Sequence, residues 1–294
     1  MKVKKIKRSS VILGIVLGAV LGVYVLSLFW MLGWGLITSL KDDIYFLRHV
    51  IGLPDKWMWS NYIRAFNSFL VNVTTSSGIR TVYLEEMFLN SVLYALGCAI
   101  ASTTCACVMA YLSARFAYKF SKVTYTVVVV AMIVPIVGSL PSEIQMVTSL
   151  GLFGTFWGVW LLKANFLGMY FLVFYAVFKG VPKDFSEAAK IDGAGNFTLM
   201  VRIMFPLVAS TYFTVLLLNF ITFWNDYQIP LIYIRTRPTV AYGLFLFNLA
   251  GGGSVNTTPM KLAGSFLVML PILIVFLVFQ KRLMGNIHMG GLKE

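Results

Sequence analysis

Long stretches without a charged side chain constrain this chain more than any other feature of its sequence. Residues 9–40 contain no Asp, Glu, Lys or Arg, a run of 32 residues, and a helix needs only about 20 apolar residues to cross a bilayer. Further uncharged runs of 19 to 28 residues lie at 87–114, 123–142, 203–225 and 262–280. None of them alternates apolar and polar residues as the strands of a membrane barrel do. The sequence therefore predicts an all-α, polytopic membrane protein.

The composition supports this class. Hydrophobic residues make up 59% of the 294 residues, charged residues make up only 12%, and the mean hydropathy is +0.83. A soluble domain carries about twice that charged fraction. The formal net charge is +13. Excess Lys and Arg collect in the cytoplasmic loops of membrane proteins, so this charge does not indicate nucleic-acid binding.

We predict six transmembrane helices. The first is a retained anchor, because its uncharged run is too long for a signal peptide and no small-x-small cleavage site closes it. The predicted spans lie at about 11–37, 88–112, 123–142, 157–178, 203–225 and 262–280. In this scheme an N-terminal segment with the first helix (1–40) precedes an external loop (41–84) and a core of five helices (85–294).

Basic residues favour one orientation of these helices. Fifteen Lys and Arg lie in four short segments that the scheme puts inside, and eight are spread over the longer outside loops. An excess of basic residues is typical of cytoplasmic loops. We therefore expect both termini, and the polar loop at 181–206, on the cytoplasmic side.

Some apolar segments are expected to break or to stop short of crossing. Pro135 lies inside the third predicted span, where proline kinks a membrane helix, and Gly138 and Pro141 indicate a break near its outer end. Residues 144–156 are too short to cross and are expected to connect externally through a short helix.

Two further segments are not counted as spans. Residues 239–250 precede Gly251-Gly252-Gly253-Ser254 and are expected to form a surface loop or external helix. Residues 72–78 are rich in Asn, Thr, Ser and Gly and are expected to form a loop.

The polar loop contains a predicted short helix from about Ser186 to Gly193. Pro182 suits the start of a helix because it lacks the N–H that a first turn leaves unpaired. Asp184 and Glu187 fall where the helix dipole favours negative charge. Gly193 tolerates the left-handed turn that ends helices. Such a helix is either an ordinary amphipathic connection or, with its small Ala188-Ala189 face, an insert for a groove on a partner.

The residues of this loop match a known pattern. Glu187-Ala188-Ala189-Lys190-Ile191-Asp192-Gly193-Ala194, followed by Ile203 and Pro206, resembles the EAA loop of ABC-importer permeases, and within them the sugar importers of the maltose-transporter type, second permease. The resemblance implies the type I ABC importer permease fold and a coupling helix that docks on an ATP-hydrolysing subunit. In that role Glu187 is the polar anchor, Ala188 and Ala189 allow close approach, and Gly193 sets the turn. Asp192, Ile203 and Pro206 complete the motif.

Other segments resemble the same family. These are Phe88-Leu89-Asn90-Ser91 at the start of the second span, Ala110 to Phe116 at its end, Trp224-Asn225-Asp226-Tyr227 and the glycine-rich tail 290–294.

The polar end of the fifth span is a candidate substrate path. Sugar sites combine aromatic faces with polar groups, and such residues cluster at Asn219, Trp224, Asn225, Asp226 and Tyr227. Asn219 and Asp226 are seven residues apart and are expected to share a helix face, with Asn225 displaced from it. The alternative is an aromatic interface belt. Lys163 in the fourth span either extends to the membrane interface or joins the path with Asn165.

The chain lacks the motifs of an enzyme or a motor. It has no phosphate-binding loop ending in Gly-Lys-Ser or Gly-Lys-Thr, and its two histidines and three cysteines suggest neither a metal site nor a catalytic triad. Cys98, Cys105 and Cys107 share one apolar run and are expected to be small buried thiols rather than disulfides. No buried acid pair of a proton-coupled carrier is found within the spans.

An external energy source is therefore expected. We predict no cofactor in this chain, with ATP used by a separate ATPase dimer. The resemblance implies three further partners: a second permease, an external solute-binding protein and a carbohydrate substrate, at a bacterial cell membrane. The alternatives are an ABC permease for a non-sugar solute, an ion-coupled carrier and a membrane-spanning enzyme.

Overall fold

The computed structural model describes residues 8–75, 78–116, 119–134, 138–249 and 257–285. Helices hold most of these residues, as the predicted fold class requires. The N-terminal lysines 2–7, Pro135, Gly251–Ser254 and the tail 290–294 lie outside the described residues.

Four helical stretches are long and apolar enough to cross a membrane, counted over the described ranges. They correspond to the first, second, fifth and sixth predicted spans. These are α1 (Arg8–Ser39), α4 (Leu84–Arg115), the run Asn196–Trp224 and α14 (Thr258–Gly285). The third run comprises a helical turn α10 (Asn196–Thr198), a π-helical segment (Leu199–Met204) and α11 (Phe205–Trp224). It begins seven residues before the predicted start at 203.

The predicted third and fourth spans are shorter or broken. The third corresponds to α5 (Lys119–Ile133). A continuous helix over 157–178 is wrong, because that stretch contains α7 (Phe156–Lys163) and α8 (Met169–Gly180). The intervening Asn165 and Gly168 are weak helix formers, and the predominantly apolar composition of 157–178 does not reveal such a break. The observed helices remain compatible with six crossings.

The shorter helices mark the connections. They are α2 (Asp43–Arg48), α3 (Ser60–Ser68), α6 (Leu140–Ser149), α9 (Asp184–Ile191), α12 (Gln228–Tyr233) and α13 (Val240–Leu249). Gly138 has a positive φ of 84°, and α6 begins two residues later with Pro141 in its first turn. The predicted break after the third span is therefore confirmed, as are short helices near 144–156 and at 239–250.

A β-hairpin occupies part of the segment expected to be a loop at 72–78. Strands β1 (Leu70–Thr75) and β2 (Gly78–Tyr83) pair antiparallel, with Val71 opposite Val82. Val71, Val73 and Val82 are buried while their neighbours face out. Alternating β-branched residues favour a strand, and this signal was outweighed by the polar residues between them.

The chain divides into two compact units. The first contains the described residues of 8–69, 247–249 and 257–269. There Asn61 Nδ2 donates to the carbonyls of Ser39 and Lys41, at 2.9 and 2.8 Å. The fully buried Lys41 Nζ donates to the carbonyls of His49 and Val50. These bonds satisfy the backbone where α1 ends.

The second unit contains the described residues of 70–246 and 270–285, and α4 is its central helix. This helix packs against α11, α8 and α7. Gly97 allows the closest approach, because a Cβ there would overlap the Trp160 ring, whose Nε1 donates to the Leu93 carbonyl at 3.2 Å. One core cluster lies near the Arg115 end of α4 and a second lies toward its Leu84 end.

Candidate functional site

The predicted helix of the polar loop is present as α9. Its first turn carries Asp184 and Glu187, where negative charge complements the helix dipole. Its end is a Schellman motif: the Gly193 N–H donates to the Lys190 carbonyl at 3.1 Å, and the Ala194 N–H donates to the Ala189 carbonyl at 2.9 Å. Gly193 has a φ of 81°. The predicted glycine stop is therefore confirmed.

The two alanines of the motif face opposite environments. Ala188 is exposed, whereas Ala189 is buried in the core cluster that includes Tyr111, Phe178 and Leu199. Close approach at Ala189 is therefore made to this chain's own core. Of the predicted small face, only Ala188 is open to a partner.

Three large apolar side chains in and just after α9 are exposed. Phe185 is 49% exposed, Ile191 85% and Phe197 73%, while the nearby Glu187 and Asp192 are also exposed. Water-exposed apolar groups beside polar ones are typical of a surface that binds another protein. Sequence reasoning missed these three residues, although their position inside a polar loop was a usable signal.

The end of the motif lies at a change of helical geometry. Pro206 has no N–H, so the carbonyl of Arg202 lacks its usual α-helical donor. The chain adopts π geometry over Leu199–Met204, and the Phe205 N–H reaches back to the Met200 carbonyl. Proline explains this local irregularity. Ile203 is partly buried against the same core cluster as Ala189.

Most of the candidate substrate-path residues are bonded within this chain. Asn219 is buried and its Nδ2 donates to Thr103 Oγ1 at 2.9 Å. The Asp226 Oδ2 accepts from the Tyr94 hydroxyl at 2.7 Å. Asn225 Nδ2 donates to the carbonyl of Ile221 at 2.8 Å.

The expectation that Asn219 and Asp226 share a helix face is wrong, because α11 ends at Trp224. Asp226 instead caps α12, since its Oδ1 accepts from the Gln228 and Ile229 N–H groups at 2.9 and 3.3 Å. Asn219 and Asp226 nevertheless both bond to α4.

The aromatic residues of the signature differ in their surroundings. Tyr227 stacks on Phe245 at 4.4 Å between ring centroids. Trp224 is buried near Phe88 and Phe220, and its Nε1 has no hydrogen-bond partner in the described part of the chain. These contacts stabilise the end of α11.

Lys163 is the last residue of α7, where a basic residue complements the helix dipole. The Lys163 side chain is partly buried. Asn165 is exposed in the turn after α7.

Within residues 8–285, less the gaps given above, no group of three His, Cys, Asp or Glu side chains could hold a metal ion. The three cysteines are free, with Cys98 and Cys107 buried. The predicted burial is confirmed for these two and is wrong for Cys105, which is only partly buried.

The structure combines membrane-length helices with an exposed polar loop helix. A solved structure of similar fold is that of a bacterial ABC transporter involved in the import of the acidic polysaccharide alginate. It matches with a TM-score of 0.74 and 20% identity, covering 95% of this chain and 99% of that one. This likeness shows the ABC importer permease fold.

The chain belongs to the family described as binding-protein-dependent transport system inner membrane component, whose model matches residues 102–287. The diacetylchitobiose uptake system permease protein NgcG of Streptomyces coelicolor is 26% identical over 267 residues, 87% of this chain and 82% of that protein. The osmoprotective compounds uptake permease protein GgtD of Synechocystis is 30% identical over 220 residues, 74% of this chain and 73% of that protein.

This protein is therefore an ABC transporter permease, a multi-pass membrane protein and not an enzyme. The predicted family is confirmed. The matched range includes α9, the π-helical segment and the Trp224–Tyr227 signature, so the family's transport domain covers both candidate sites.

Proposed function

We propose that this permease moves a sugar or oligosaccharide into the cell, driven by a separate ATPase dimer that docks on α9. The observation that carries the proposal is the geometry of α9. Its inner side is fixed by Ala189 in the core and its outer side is open at Glu187 and Ala188. A helix held on one side and open on the other can transmit a push from a partner into the bundle.

The nature of the docking surface follows from its exposed residues. Phe185, Ile191 and Phe197 offer apolar area, and Glu187 and Asp192 offer acidic groups beside it. A cleft with an apolar floor and a basic rim would complement this surface. Ile203 and Pro206 shape the segment that returns from the surface to α11.

The assembly contains a second permease, an external solute-binding protein and the ATPase dimer. Both termini and α9 are cytoplasmic. ATP is used by the ATPase, and this chain needs no cofactor of its own. The chain supplies no phosphate-binding loop, and the positive-inside count supports this orientation.

A carbohydrate is the favoured substrate. Trp224, Asn225, Asp226 and Tyr227 combine aromatic and polar groups at the end of α11, and the NgcG relative is named for uptake of an oligosaccharide. Asn219 and Asp226 support the path through their hydrogen bonds to α4, and Lys163 joins the proposed path as the basic residue at the end of α7. A second candidate is an osmoprotective solute, because the GgtD relative is named for such compounds.

The test is uptake by the reconstituted complex in vesicles. Glu187→Lys inverts the charge of the exposed Glu187 side chain. It is expected to lower both ATP-dependent uptake and ATPase stimulation about tenfold or more, which corresponds to loss of about 1.4 kcal/mol of binding free energy at the interface. Asp55→Lys inverts an exposed acid in the segment 41–84 and serves as the matched control.

Retention of both activities by Glu187→Lys at normal membrane levels would contradict docking through α9. A panel of oligosaccharides and small osmoprotective solutes, each with the cognate binding protein, separates the two substrate classes. The sugar assignment fails if only the osmoprotective solutes are taken up.

A further inference from the structure

Arg115 joins the far end of α4 to both ends of the polar loop. Its Nη2 donates to the Val181 carbonyl at 2.8 Å and contacts the Met204 Sδ at 3.7 Å. Val181 directly follows α8 and Met204 ends the π-helical segment, so the two contacts enclose residues 182–203. One guanidinium nitrogen therefore ties together the start and the end of the segment that contains α9.

The chemistry of this contact suits arginine. Val181 is the residue that caps the C-terminus of α8, where helix carbonyls lack intrahelical donors and a positive charge is stabilised. The guanidinium presents several donors in a rigid plane, so it can reach two groups at once. The Nε of Arg115 is buried and has no partner over the described ranges, which leaves Nη2 as the contact that holds the loop.

Aromatic side chains pack around the Arg115 end of α4. Tyr111, one turn before Arg115, contacts Phe178 at 5.4 Å and Phe116 at 5.8 Å between ring centroids. Tyr111, Phe178, Ala189 and Met204 are buried in one core cluster. Displacement of α9 can reach α4 through this apolar packing, through the π-helical segment and α11, or through the Arg115 contact.

The other end of α4 is bonded to the chain around α12. Tyr94 donates to Asp226, Asn90 Nδ2 donates to the Pro238 carbonyl at 3.1 Å, and Ser91 Oγ accepts from the Val240 N–H at 2.7 Å. Because α4 has 32 residues without a break, it spans about 48 Å. It is a continuous rod with polar attachments near both ends.

We propose that Arg115 is a positioning residue of the transport cycle that carries movement of the polar loop into α4, and through α4 to the region around Asp226 and Pro238. The inference rests on the proposed function, since it assumes that an ATPase moves α9. Apolar packing can slide, whereas a charge-assisted hydrogen bond to a fixed carbonyl holds its direction. Arg115 thus makes the loop and α4 move together.

The test compares sugar uptake with ATP hydrolysis in the reconstituted complex. Arg115→Met keeps an unbranched apolar stem but loses the donors. We expect uptake per ATP hydrolysed to fall about tenfold, the scale of losing one hydrogen bond to a charged group, with ATPase binding and stimulation retained. A merely structural role would instead lower assembly, hydrolysis and uptake together.

Three further variants keep the test decisive. Arg115→Lys retains the charge and is expected to restore part of the coupling ratio, because an ammonium can reach the Val181 carbonyl. Met204→Leu conserves volume while removing the sulfur and is expected to change the ratio about twofold at most. Lys122→Met, at an exposed basic position of α5, is the charge control and should leave the ratio unchanged.

An unchanged coupling ratio in Arg115→Met would overturn the inference. So would equal loss of assembly, hydrolysis and uptake in both the Met and Lys variants, since that result assigns Arg115 to folding alone. Failure of the proposed function would look different, because the wild-type complex itself would then show no ATP-dependent uptake.

Discussion

The two candidate sites contact different parts of α4, and their side chains are arranged differently. At the Arg115 end, the predicted docking residues Glu187, Ala188 and Asp192 are exposed, and the helix is held by its backbone cap and by Ala189. In the candidate substrate path, Asn219 is already hydrogen-bonded to Thr103 in the middle of α4, and Asp226 to Tyr94 toward its Leu84 end.

Whether its polar side chains are already hydrogen-bonded within the chain distinguishes a surface that binds a partner from a region that stabilises helix packing. A docking surface leaves side chains unbonded, since the partner supplies their contacts. The bonds of Asn219 and Asp226 fix α11 and α12 to α4 in this conformation. A residue of that kind contacts a solute only if its present bond opens during the transport cycle.

The largest effect is expected at Gly193, because the position of the docking helix α9 depends there on the backbone conformation and not on a side chain. Gly193→Val places a β-branched residue at a φ of 81°, which costs at least about 1–2 kcal/mol and unwinds the cap of α9. We expect uptake to fall about tenfold or more, measured in the reconstituted complex at matched membrane levels.

Gly193→Asn is the matched control, because asparagine tolerates the left-handed conformation. It should retain most uptake. Equal activity of the Val and Asn variants would show that the Schellman motif does not position the docking helix. The comparison between the exposed docking residues and the internally bonded substrate-path residues would then be contradicted.

A smaller effect is expected at the Tyr94–Asp226 hydrogen bond. Tyr94→Phe and Asp226→Ala should show a coupling energy of about 1–2 kcal/mol in a double-mutant cycle, measured by unfolding of the complex in detergent. Asp226→Ala alone should cost about 1 kcal/mol more than Tyr94→Phe, because it also removes the cap of α12.

Tyr227→Phe provides the comparison for this cycle, since its ring stacks on Phe245 and the stack survives loss of the hydroxyl. It should change stability little. If Tyr94→Phe leaves stability unchanged but weakens uptake selectively for sugars, Asp226 belongs to the solute path and the internal bond is only a resting contact.

Much of the loop could be predicted from local chemistry. Asp184, Glu187 and Gly193 each act within one or two turns of chain, so the presence and the end of α9 follow from the sequence alone. The helix begins at Asp184, two residues before the predicted start at Ser186, and Pro182 lies ahead of its first turn. The side on which Ala189 lies could not be predicted, because it depends on Tyr111 and Phe178, which come from distant helices.

The membrane helices also divide into features that the local sequence predicts and features that it does not. Uncharged runs identify α1, α4 and α14, because the bilayer imposes length and apolarity on each helix separately. The break between α7 and α8, the end of α11 before Asp226 and the hairpin at 70–83 depend on neighbours or on short-range geometry that a charge count ignores.

The most direct measurement compares cysteines at two adjacent positions of α9. The background is a chain that retains uptake with its three cysteines replaced, by Cys98→Ala, Cys105→Ala and Cys107→Ala. Ala188→Cys and Ala189→Cys are introduced separately into this background. Each variant is then treated with a membrane-impermeant maleimide from either side of the membrane. We expect Ala188→Cys to react only from the cytoplasmic side and to be protected when the ATPase is bound, while Ala189→Cys stays unreactive. Reaction of Ala188→Cys from the external side, or at the same rate with and without the ATPase, would contradict it.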